Sequence, residues 1–363
     1  MPKTIESPVG AEIILEGRRY INFGGSSYLG LSGNPKILEA GSDVLRECGS
    51  GYQFHRNYDI ATRAHQDAES QAAAFFSTPA ALYLAGGYYF GLVAAAALRH
   101  KFSTVFCDEM AHHSLRDGAA AAGLPIYTFR HLDTEDLQAK LKQHSRANER
   151  PLVATDGLYS TFGEIAPLDQ FAAVMAPYDG RLLVDESHSF GVLGNTGCGA
   201  SEHHNIPFSS SLFGGSTSKA FGVVGGIIPT TEEEVAVCRA TPAGRGASAG
   251  LPAAASMCAR SLSYVRQHPE LLSSLRINIA YMKSGLRKIG LEVGDTVAPV
   301  AAFVPGPDLP IRALQQQLLS EGIYVLHSTY IGAGARGVIR CGIYADHTRD
   351  HIDCLLDALR RLL

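Results

Sequence analysis

The chain has 363 residues, of which 46% are apolar and 18% are charged, and its formal net charge is −4. This composition is that of a globular protein with room for one large and one smaller domain, and it excludes a disordered chain. The small net charge gives no strong field for nucleic acid or an anionic membrane, so neither is an expected partner.

Short apolar strands alternate with helical segments through the first two thirds of the chain. The predicted strands span residues 81–84, 104–107, 126–129, 152–155, 182–185, 211–213 and 223–229. The predicted helices span residues 36–47, 63–76, 92–98, 134–143 and 168–175. This alternation predicts a mostly parallel sheet covered by helices on both faces, with ligands at the carboxyl ends of the strands.

From residue 254 the pattern becomes that of a small α+β domain. Its predicted helices span residues 254–267, 271–289, 311–321 and 348–363. Its predicted strands span residues 300–304, 324–326 and 338–344. We therefore predict an N-terminal segment of residues 1–35, a large domain of residues 36–253 and a small domain of residues 254–363.

The seven cysteines are widely spaced and form no CxxC pair. Reduced thiols in a cytoplasmic protein explain this pattern better than a disulfide framework or a zinc site. The first residues, MPKTIES, lack the apolar core of a signal peptide, and no apolar run is long enough to predict a membrane span. We therefore expect a cytoplasmic protein that holds no metal.

One lysine and one aspartate carry the main chemical signal. Lys219 lies among small residues in GGSTSKAFG, and Asp185 ends the apolar segment LLVD about 30 residues earlier. Such a lysine can form the Schiff base of pyridoxal phosphate (PLP) and move protons, while the carboxylate can keep the ring nitrogen protonated. The alternatives are a solvated lysine and an aspartate that caps the next helix. Because PLP chemistry needs both groups, the pair predicts a PLP site.

A glycine pair suggests where the cofactor's phosphate would bind. Gly86 and Gly87 follow a predicted strand and precede a helix, so their backbone amides suit a phosphate. Ser216 could donate its hydroxyl to the same group. The alternative is an ordinary tight turn, since glycine pairs often follow strands.

Two histidines could contact the cofactor ring. His188 follows Asp185 by three residues and could bond the ring oxygen, and His112 could stack on the ring. Each could equally be structural, and the residues alone do not choose between His112 and its neighbour His113.

Arg340 lies inside the apolar segment VIRCGI. A buried guanidinium needs an anionic partner, because an unpaired buried charge is costly. A substrate carboxylate held by two hydrogen bonds would serve, and the alternative is an internal salt bridge, for example with Asp346.

Taken in order, these segments resemble the α-oxoamine synthases, which are PLP enzymes of fold type I with an aspartate-aminotransferase-like fold. The likeness runs from about residue 21 to the C-terminus. Its landmarks are SYLGL at 27–31, residues 65–69, AGG at 85–87, the His112 segment, YSTFGEIAPL at 159–168, DESHSFG at 185–191, STSKAFG at 216–222, and Arg340 followed by ADHT at 345–348.

The resemblance implies a role for each matching position. The implied cofactor contacts are Lys219 as Schiff base and acid/base, Asp185 at the ring nitrogen, His188 at the ring oxygen, His112 rather than His113 on the ring face, Ser216 and the amides near Gly87 at the phosphate, and Ser160 close by. Arg340 would hold the carboxylate of an amino acid. The family forms homodimers, in which Ser248 would reach the phosphate of the neighbouring subunit.

Several positions depart from the family pattern. Ser26 and Ser27 replace Asn-Asp or Asn-Asn, and the asparagine assists carboxylate binding in the family, so Ser26 is a candidate substrate contact. QFHR at 53–56 replaces Gly-Gly-Ser-Arg, and YYF at 88–90 stands where small residues and asparagine are typical. NYD at 57–59 favours the autoinducer-synthase branch.

The activity implied by the resemblance is the condensation of an α-amino acid with an acyl thioester, carried by CoA or a carrier protein, usually with loss of CO2. The alternatives are another PLP reaction on the same fold, namely transamination, racemisation or aldol cleavage, and a PLP-binding protein without catalysis. Lys219 and Asp185 are common to these reactions, so they do not choose between them.

Overall fold

The computed structural model describes residues 3–51, 60–146, 149–306 and 309–363. The departures noted at residues 53–56 and 57–59 lie outside these ranges. Among the described residues, no helix combines the length and apolar character needed to cross a bilayer.

Strands and helices alternate as predicted. The strands are β1 (Glu12–Leu15), β2 (Arg18–Asn22), β3 (Ala80–Leu84), β4 (Thr104–Asp108), β5 (Ile126–Phe129), β6 (Pro151–Asp156), β7 (Arg181–Asp185), β8 (Ser211–Ser216), β9 (Gly226–Thr230), β10 (Val300–Phe303), β11 (Ile323–Tyr324), β12 (Leu326–Ser328) and β13 (Val338–Gly342). The helices are α1 (Pro35–Cys48), α2 (Arg63–Phe76), α3 (Tyr89–Leu98), α4 (His113–Ala121), α5 (Thr134–His144), α6 (Leu168–Met175), α7 (Ala200–His203), α8 (Glu232–Ala240), α9 (Pro242–Gly246), α10 (Pro252–Gln267), α11 (Glu270–Lys288), α12 (Ile311–Ser320) and α13 (Arg349–Leu362).

The predicted parallel sheet is present and has seven strands in the order β3-β9-β8-β7-β6-β4-β5. Strands β8, β7, β6, β4 and β5 are parallel to one another, and β9 runs antiparallel to both β3 and β8. All residues of β4, β6 and β7 are buried, as expected for strands covered on both faces.

The carboxyl ends of three adjacent strands carry acids. Asp108, Asp156 and Asp185 are the last residues of β4, β6 and β7, and Asp156 pairs in register with Asp185. Parallel strands end at the same edge of a sheet, so Asp156 and Asp185 lie side by side, while Asp108 ends the next strand one residue out of register with Asp156.

The strand predicted at residues 223–229 begins only at Gly226. The preceding residues form a loop that joins β8 to β9 and carries Lys219. The hydroxyl of Thr217 closes this loop by donating to the carbonyl of Val223 at 2.8 Å. Gly222 has a φ of 69°, and a Cβ there would lie 2.7 Å from the backbone nitrogen of Ser32, so the loop requires glycine at this point.

The C-terminal part forms a smaller antiparallel sheet in the order β10-β13-β12. The single strand predicted at residues 324–326 is instead two short strands in different sheets. Strand β11 pairs with β2 in a sheet with β1, whereas β12 pairs with β13, because the chain passes from one sheet to the other at the buried Val325.

The β1–β2 hairpin was not predicted. Its two-residue turn is Glu16-Gly17, both at positive φ, a dipeptide whose glycine is a recognised hairpin signal. Through β11 the N-terminal strands pair with the C-terminal part of the chain. The division at residues 35/36 and 253/254 stays a prediction.

Candidate active site

A cavity of about 230 Å³ lies at the carboxyl ends of the parallel strands. It brings together six of the predicted site residues with five that were not predicted. The lining residues are Gly87, Tyr88, His112, Ser114, Asp156, Leu158, Asp185, Ser187, His188, Ser216 and Lys219. Its position is the one at which ligands of open α/β sheets bind.

Lys219 projects a largely buried amine toward this cavity. Burial lowers the pKa of Lys219, Asp185 acts in the opposite direction, and the positive charge of Arg340 lowers the pKa further. A lysine with a lowered pKa holds more of its amine in the neutral, nucleophilic form at neutral pH.

Asp185 is oriented by two hydrogen bonds. Its Oδ1 accepts the backbone N–H of Ser187 at 2.9 Å, and its Oδ2 accepts the hydroxyl of Ser114 at 3.4 Å. The residue is only 5% exposed, and within the described ranges it forms no salt bridge. A buried carboxylate that forms no such ion pair suits a protonated ring nitrogen as its partner.

The neighbouring acid Asp108 has a cationic partner. His131 Nδ1 lies 2.9 Å from Asp108 and its Nε2 lies 3.3 Å from Glu164. Burial acts to lower the pKa of His131, but its hydrogen bonds to Asp108 and Glu164 raise it to about 9. Asp108 therefore faces an imidazolium at neutral pH.

Asp156 lies between these two acids and has no cation of its own. Burial, together with the adjacent charge of Asp185, raises the pKa of Asp156 well above its usual range. Its Oδ1 accepts the backbone N–H of His112 at 3.0 Å. Burial and the adjacent charge thus both favour the protonated form of the Asp156 carboxyl, which also fixes the backbone of His112.

His112, rather than His113, lines the cavity. Its Nδ1 lies 2.7 Å from the hydroxyl of Ser114 and accepts the Ser114 backbone N–H at 3.2 Å, so that it caps α4. Burial lowers the pKa of His112. A neutral imidazole held in this way presents a rigid ring to the cavity.

The start of α3 offers unpaired backbone donors. No side chain caps this helix, and within the described ranges the amides of Gly87 and Tyr88 donate to no acceptor. A Cβ on Gly87 would lie 2.4 Å from the Cβ of Ser216, so only glycine allows the two segments to approach. Free amides beside a serine hydroxyl form a site for a phosphate.

Arg340 lies on β13 and is 6% exposed. Its Nε donates to the carbonyl of Ser160 at 2.6 Å, its Nη1 to the carbonyl of Gly25 at 2.8 Å, and its Nη2 to the hydroxyl of Tyr28 at 3.3 Å. In the described part of the chain it contacts no carboxylate, and the alternative partner Asp346 instead accepts the N–H of Ala11. Two of its five N–H groups are left for an anion.

Besides Arg340, four predicted site residues do not line the cavity. The carbonyl of Ser160 accepts from Arg340. Ser26 follows Gly25, whose carbonyl also accepts from Arg340, and its own carbonyl accepts the N–H of Tyr28. Gly86 precedes the helix start, and its carbonyl accepts the N–H of Tyr89. Ser248 lines a separate small depression beside α9. Their roles stay predictions.

These groups fit PLP. The cofactor needs an amine of lowered pKa, an acid for its ring nitrogen, donors for its phosphate and a flat partner for its ring, and Lys219, Asp185, the Gly87 segment and His112 supply them within one cavity.

Comparison with known proteins gives the family. Residues 18–359 match the model of the aminotransferase class I and II family. The chain belongs to this family. It is 32% identical to the 8-amino-7-oxononanoate synthase of Methylococcus capsulatus, over 98% of this chain and 92% of that protein. It is 31% identical to the serine palmitoyltransferase of Caulobacter vibrioides, over 97% of this chain and 87% of that protein.

A solved structure of SPT with a PLP internal aldimine superposes with a TM-score of 0.92 at 26% identity, covering 99% of this chain and 92% of that one. The predicted fold and the predicted membership of the α-oxoamine synthases are both confirmed.

Sequence reasoning missed Asp156, Ser114, Ser187, Tyr28 and Tyr88. Asp156 offered a signal, because it ends an apolar run as Asp185 does. Ser114 follows His112 by two residues, the spacing at which its amide and hydroxyl both reach the imidazole. The contacts of Tyr28 join segments far apart in the sequence and left no local pattern.

Proposed function

We propose that this chain is a PLP-dependent acyltransferase that joins an α-amino acid to the acyl group of a thioester and releases an α-aminoketone after loss of CO2. The single observation that carries the proposal is that Lys219 and the buried Asp185 line one cavity. The named activities of the similar synthase and palmitoyltransferase support the same reaction class.

Bound PLP supplies an electron sink for negative charge that develops at the amino acid's Cα. Lys219 is the group that removes and returns the proton at this carbon. Its lowered pKa suits this work, since a general base is most effective near the pH at which it operates.

Asp185 keeps the ring nitrogen in its cationic form. Ser187 and Ser114 hold this carboxylate in a fixed direction through their hydrogen bonds. His112 covers a face of the ring, and the amides of Gly87 and Tyr88 with Ser216 hold the phosphate.

Arg340 binds the carboxylate of the amino acid through its two remaining N–H groups. Its three bonds to the protein fix the plane of the guanidinium before the substrate arrives. Ser26 follows Gly25, whose carbonyl Arg340 contacts, and stands in place of the family's asparagine, so its hydroxyl would contact the same carboxylate.

We also propose a homodimer in which Ser248 serves the partner's site. Tyr88 is 48% exposed at the cavity and Tyr89 is 38% exposed beside the depression that holds Ser248, which supports a covering subunit there. The cysteines are all free, which supports a cytoplasmic location.

The proposal is tested by incubating the PLP-loaded protein with single amino acids and acyl-CoA donors of increasing chain length. Release of free CoA thiol, with an α-aminoketone detected by mass spectrometry, is the expected result. Formation of a keto acid without thiol release would instead favour the aminotransferase alternative. An acyl group bound to a carrier protein is tested in parallel as the donor. An acyl-pantetheine, the part that acyl-CoA and the acylated carrier protein share, is tested beside both.

A further inference from the structure

Tyr28 connects the two ends of the proposed site. Its side chain is completely buried, and its hydroxyl lies 2.8 Å from Nδ1 of His188. The same hydroxyl oxygen accepts the N–H of Arg340 Nη2 at 3.3 Å. Tyr28 thus bridges the histidine proposed for the ring oxygen and the arginine proposed for the carboxylate.

The direction of this chain of hydrogen bonds follows from the chemistry of its members. Arg340 can only donate, so the phenol oxygen is the acceptor in that bond. Burial raises the pKa of Tyr28, which keeps the phenol protonated, although Arg340 and Ser26 act to lower it. Burial, with the charges of Lys219 and Arg340, lowers the pKa of His188 well below its usual range. Both partners are therefore neutral, and a phenol that accepts from Arg340 has its one proton left for Nδ1 of His188.

We infer that Tyr28 is a positioning residue that holds His188 as the tautomer protonated at Nε2 and links it to Arg340. Because Nδ1 is occupied as an acceptor, the ring hydrogen of His188 is on Nε2. In the described part of the chain, Nε2 of His188 donates to no residue, although the side chain lines the cavity. It is therefore free to donate to an acceptor in the cavity.

This inference rests on the proposed function, because the acceptor is the ring oxygen of PLP. A donor at that oxygen favours its deprotonated form and lowers the affinity of the bound cofactor for protons. An anion on Arg340 draws the guanidinium charge toward itself, which weakens each successive bond from Arg340 to Tyr28 and from Tyr28 to His188. Binding of an anion to Arg340 thereby changes the proton affinity of the bound cofactor.

The test compares the wild type with Tyr28→Phe and with the matched control Tyr344→Phe. Tyr344 is also completely buried, but its hydroxyl donates to the carbonyl of Gly24, and in the described part of the chain it forms no hydrogen bond with His188 or Arg340. Each protein is loaded with PLP by titration, and the visible absorbance of the bound cofactor is followed against pH.

For Tyr28→Phe we expect weaker PLP binding, by about 3–10-fold, and an absorbance midpoint raised by about 0.5–1 pH unit, as for the loss of one hydrogen bond. In Tyr344→Phe the midpoint stays at the wild-type value. A loaded Tyr28→Phe protein with the wild-type midpoint overturns the role of Tyr28. A wild-type protein that binds no PLP contradicts the proposed function instead.

Acetate serves as a probe of the link to Arg340. Acetate added to the PLP-loaded wild type should raise the pH midpoint of the absorbance change. The same addition to Tyr28→Phe should raise that midpoint by a smaller amount. Equal acetate shifts in the two proteins contradict the link, since charge neutralisation alone acts through space and does not need the phenol.

The tautomer is measured without altering Tyr28. In ¹⁵N-histidine-labelled wild-type protein, the His188 signals are assigned by their absence from His188→Gln. We expect a protonated Nε2 and an unprotonated Nδ1 in the loaded protein. A proton on Nδ1 overturns the inference whether or not the Tyr28→Phe variant folds.

Discussion

The floor of the cavity differs in construction from the neighbouring group formed by Arg340 and the segments that it bonds, which we call the wall. The floor consists of the ends of β6 and β7, where strand register sets Asp156 and Asp185 side by side, and Asp108 ends the neighbouring strand β4. The wall is joined by side-chain bonds between distant segments, such as that from Arg340 to Gly25, 315 residues away in the chain. The floor is thus fixed by topology, whereas the wall depends on a few hydrogen bonds.

This difference separates two tasks. The acids of the floor set the charge next to the cofactor ring, and the residues of the wall set which groups contact the substrate. Changes to the floor should therefore alter turnover, and changes to the wall should alter substrate affinity.

The largest expected effect is that of Asp185→Asn on turnover. The amide keeps the shape but not the charge, so kcat should fall by about 10²–10³-fold, as when a preorganised electrostatic contact is lost. PLP should still bind through Lys219. Steady-state kinetics checks this, with the exposed Asp357→Asn on α13 as control; a variant with wild-type kcat would remove Asp185 from the mechanism.

Arg340→Gln should act mainly on substrate affinity. Loss of two charge-assisted hydrogen bonds should raise the amino-acid KM by about 10–100-fold, with a smaller change in kcat. The measurement is KM for the amino acid found to release thiol, beside the exposed Arg312→Gln control. An unchanged KM would assign Arg340 to structure, as an anchor for Ser160 and Gly25.

The ion pair between His131 and Asp108 predicts that the stability of the folded protein depends on pH. The pKa of His131 is raised from 6.5 to about 9 in the folded state. The stability that it contributes is complete below its unfolded pKa and is lost as pH rises through about 9.

His131→Gln should accordingly lower Tm by a few degrees at neutral pH, with the gap to the wild type closing in alkaline buffer. Lys283, whose pKa burial lowers to about 8, titrates in the same window in both proteins and cancels in the difference. Thermal unfolding across the alkaline range is the measurement. A gap that widens with pH would mean that His131 is not the cation paired with Asp108.

The smallest expected effect is that of Asp156→Asn. Because burial and Asp185 favour the neutral carboxyl, we expect the amide to preserve both its charge and the acceptor for the His112 N–H. Turnover should stay within about threefold of the wild type, as for substitutions that remove no charge or packing. This is the same substitution as Asp185→Asn on the adjacent strand, so equal losses in the two variants would show that Asp156 is ionised.

The residues of the floor were easier to predict from the sequence than the contacts of the wall. Asp185 and Lys219 were recognisable because an apolar run or a small-residue loop gives each a local context, and the alternation of elements placed them at one edge of a sheet. The fold followed from the same alternation. The β1–β2 hairpin was missed although its Glu16-Gly17 turn was visible.

The wall could be predicted only in part. Arg340 was found because a charge inside an apolar strand is conspicuous, but its partners were not. Tyr28 and His188 are 160 residues apart, and their contact follows from tertiary packing rather than from spacing. The raised pKa of Asp156 likewise depends on burial and on acids from neighbouring strands, which no single segment reveals.

The central claim is that Lys219 binds the cofactor covalently in the cavity that Asp185 also lines. Borohydride reduction of the PLP-loaded protein, followed by proteolysis and mass spectrometry, tests it directly. We predict that the cofactor is fixed to the peptide containing Lys219 and that Lys219→Ala yields no labelled peptide. A label on another lysine, or undiminished labelling of Lys219→Ala, would contradict the account.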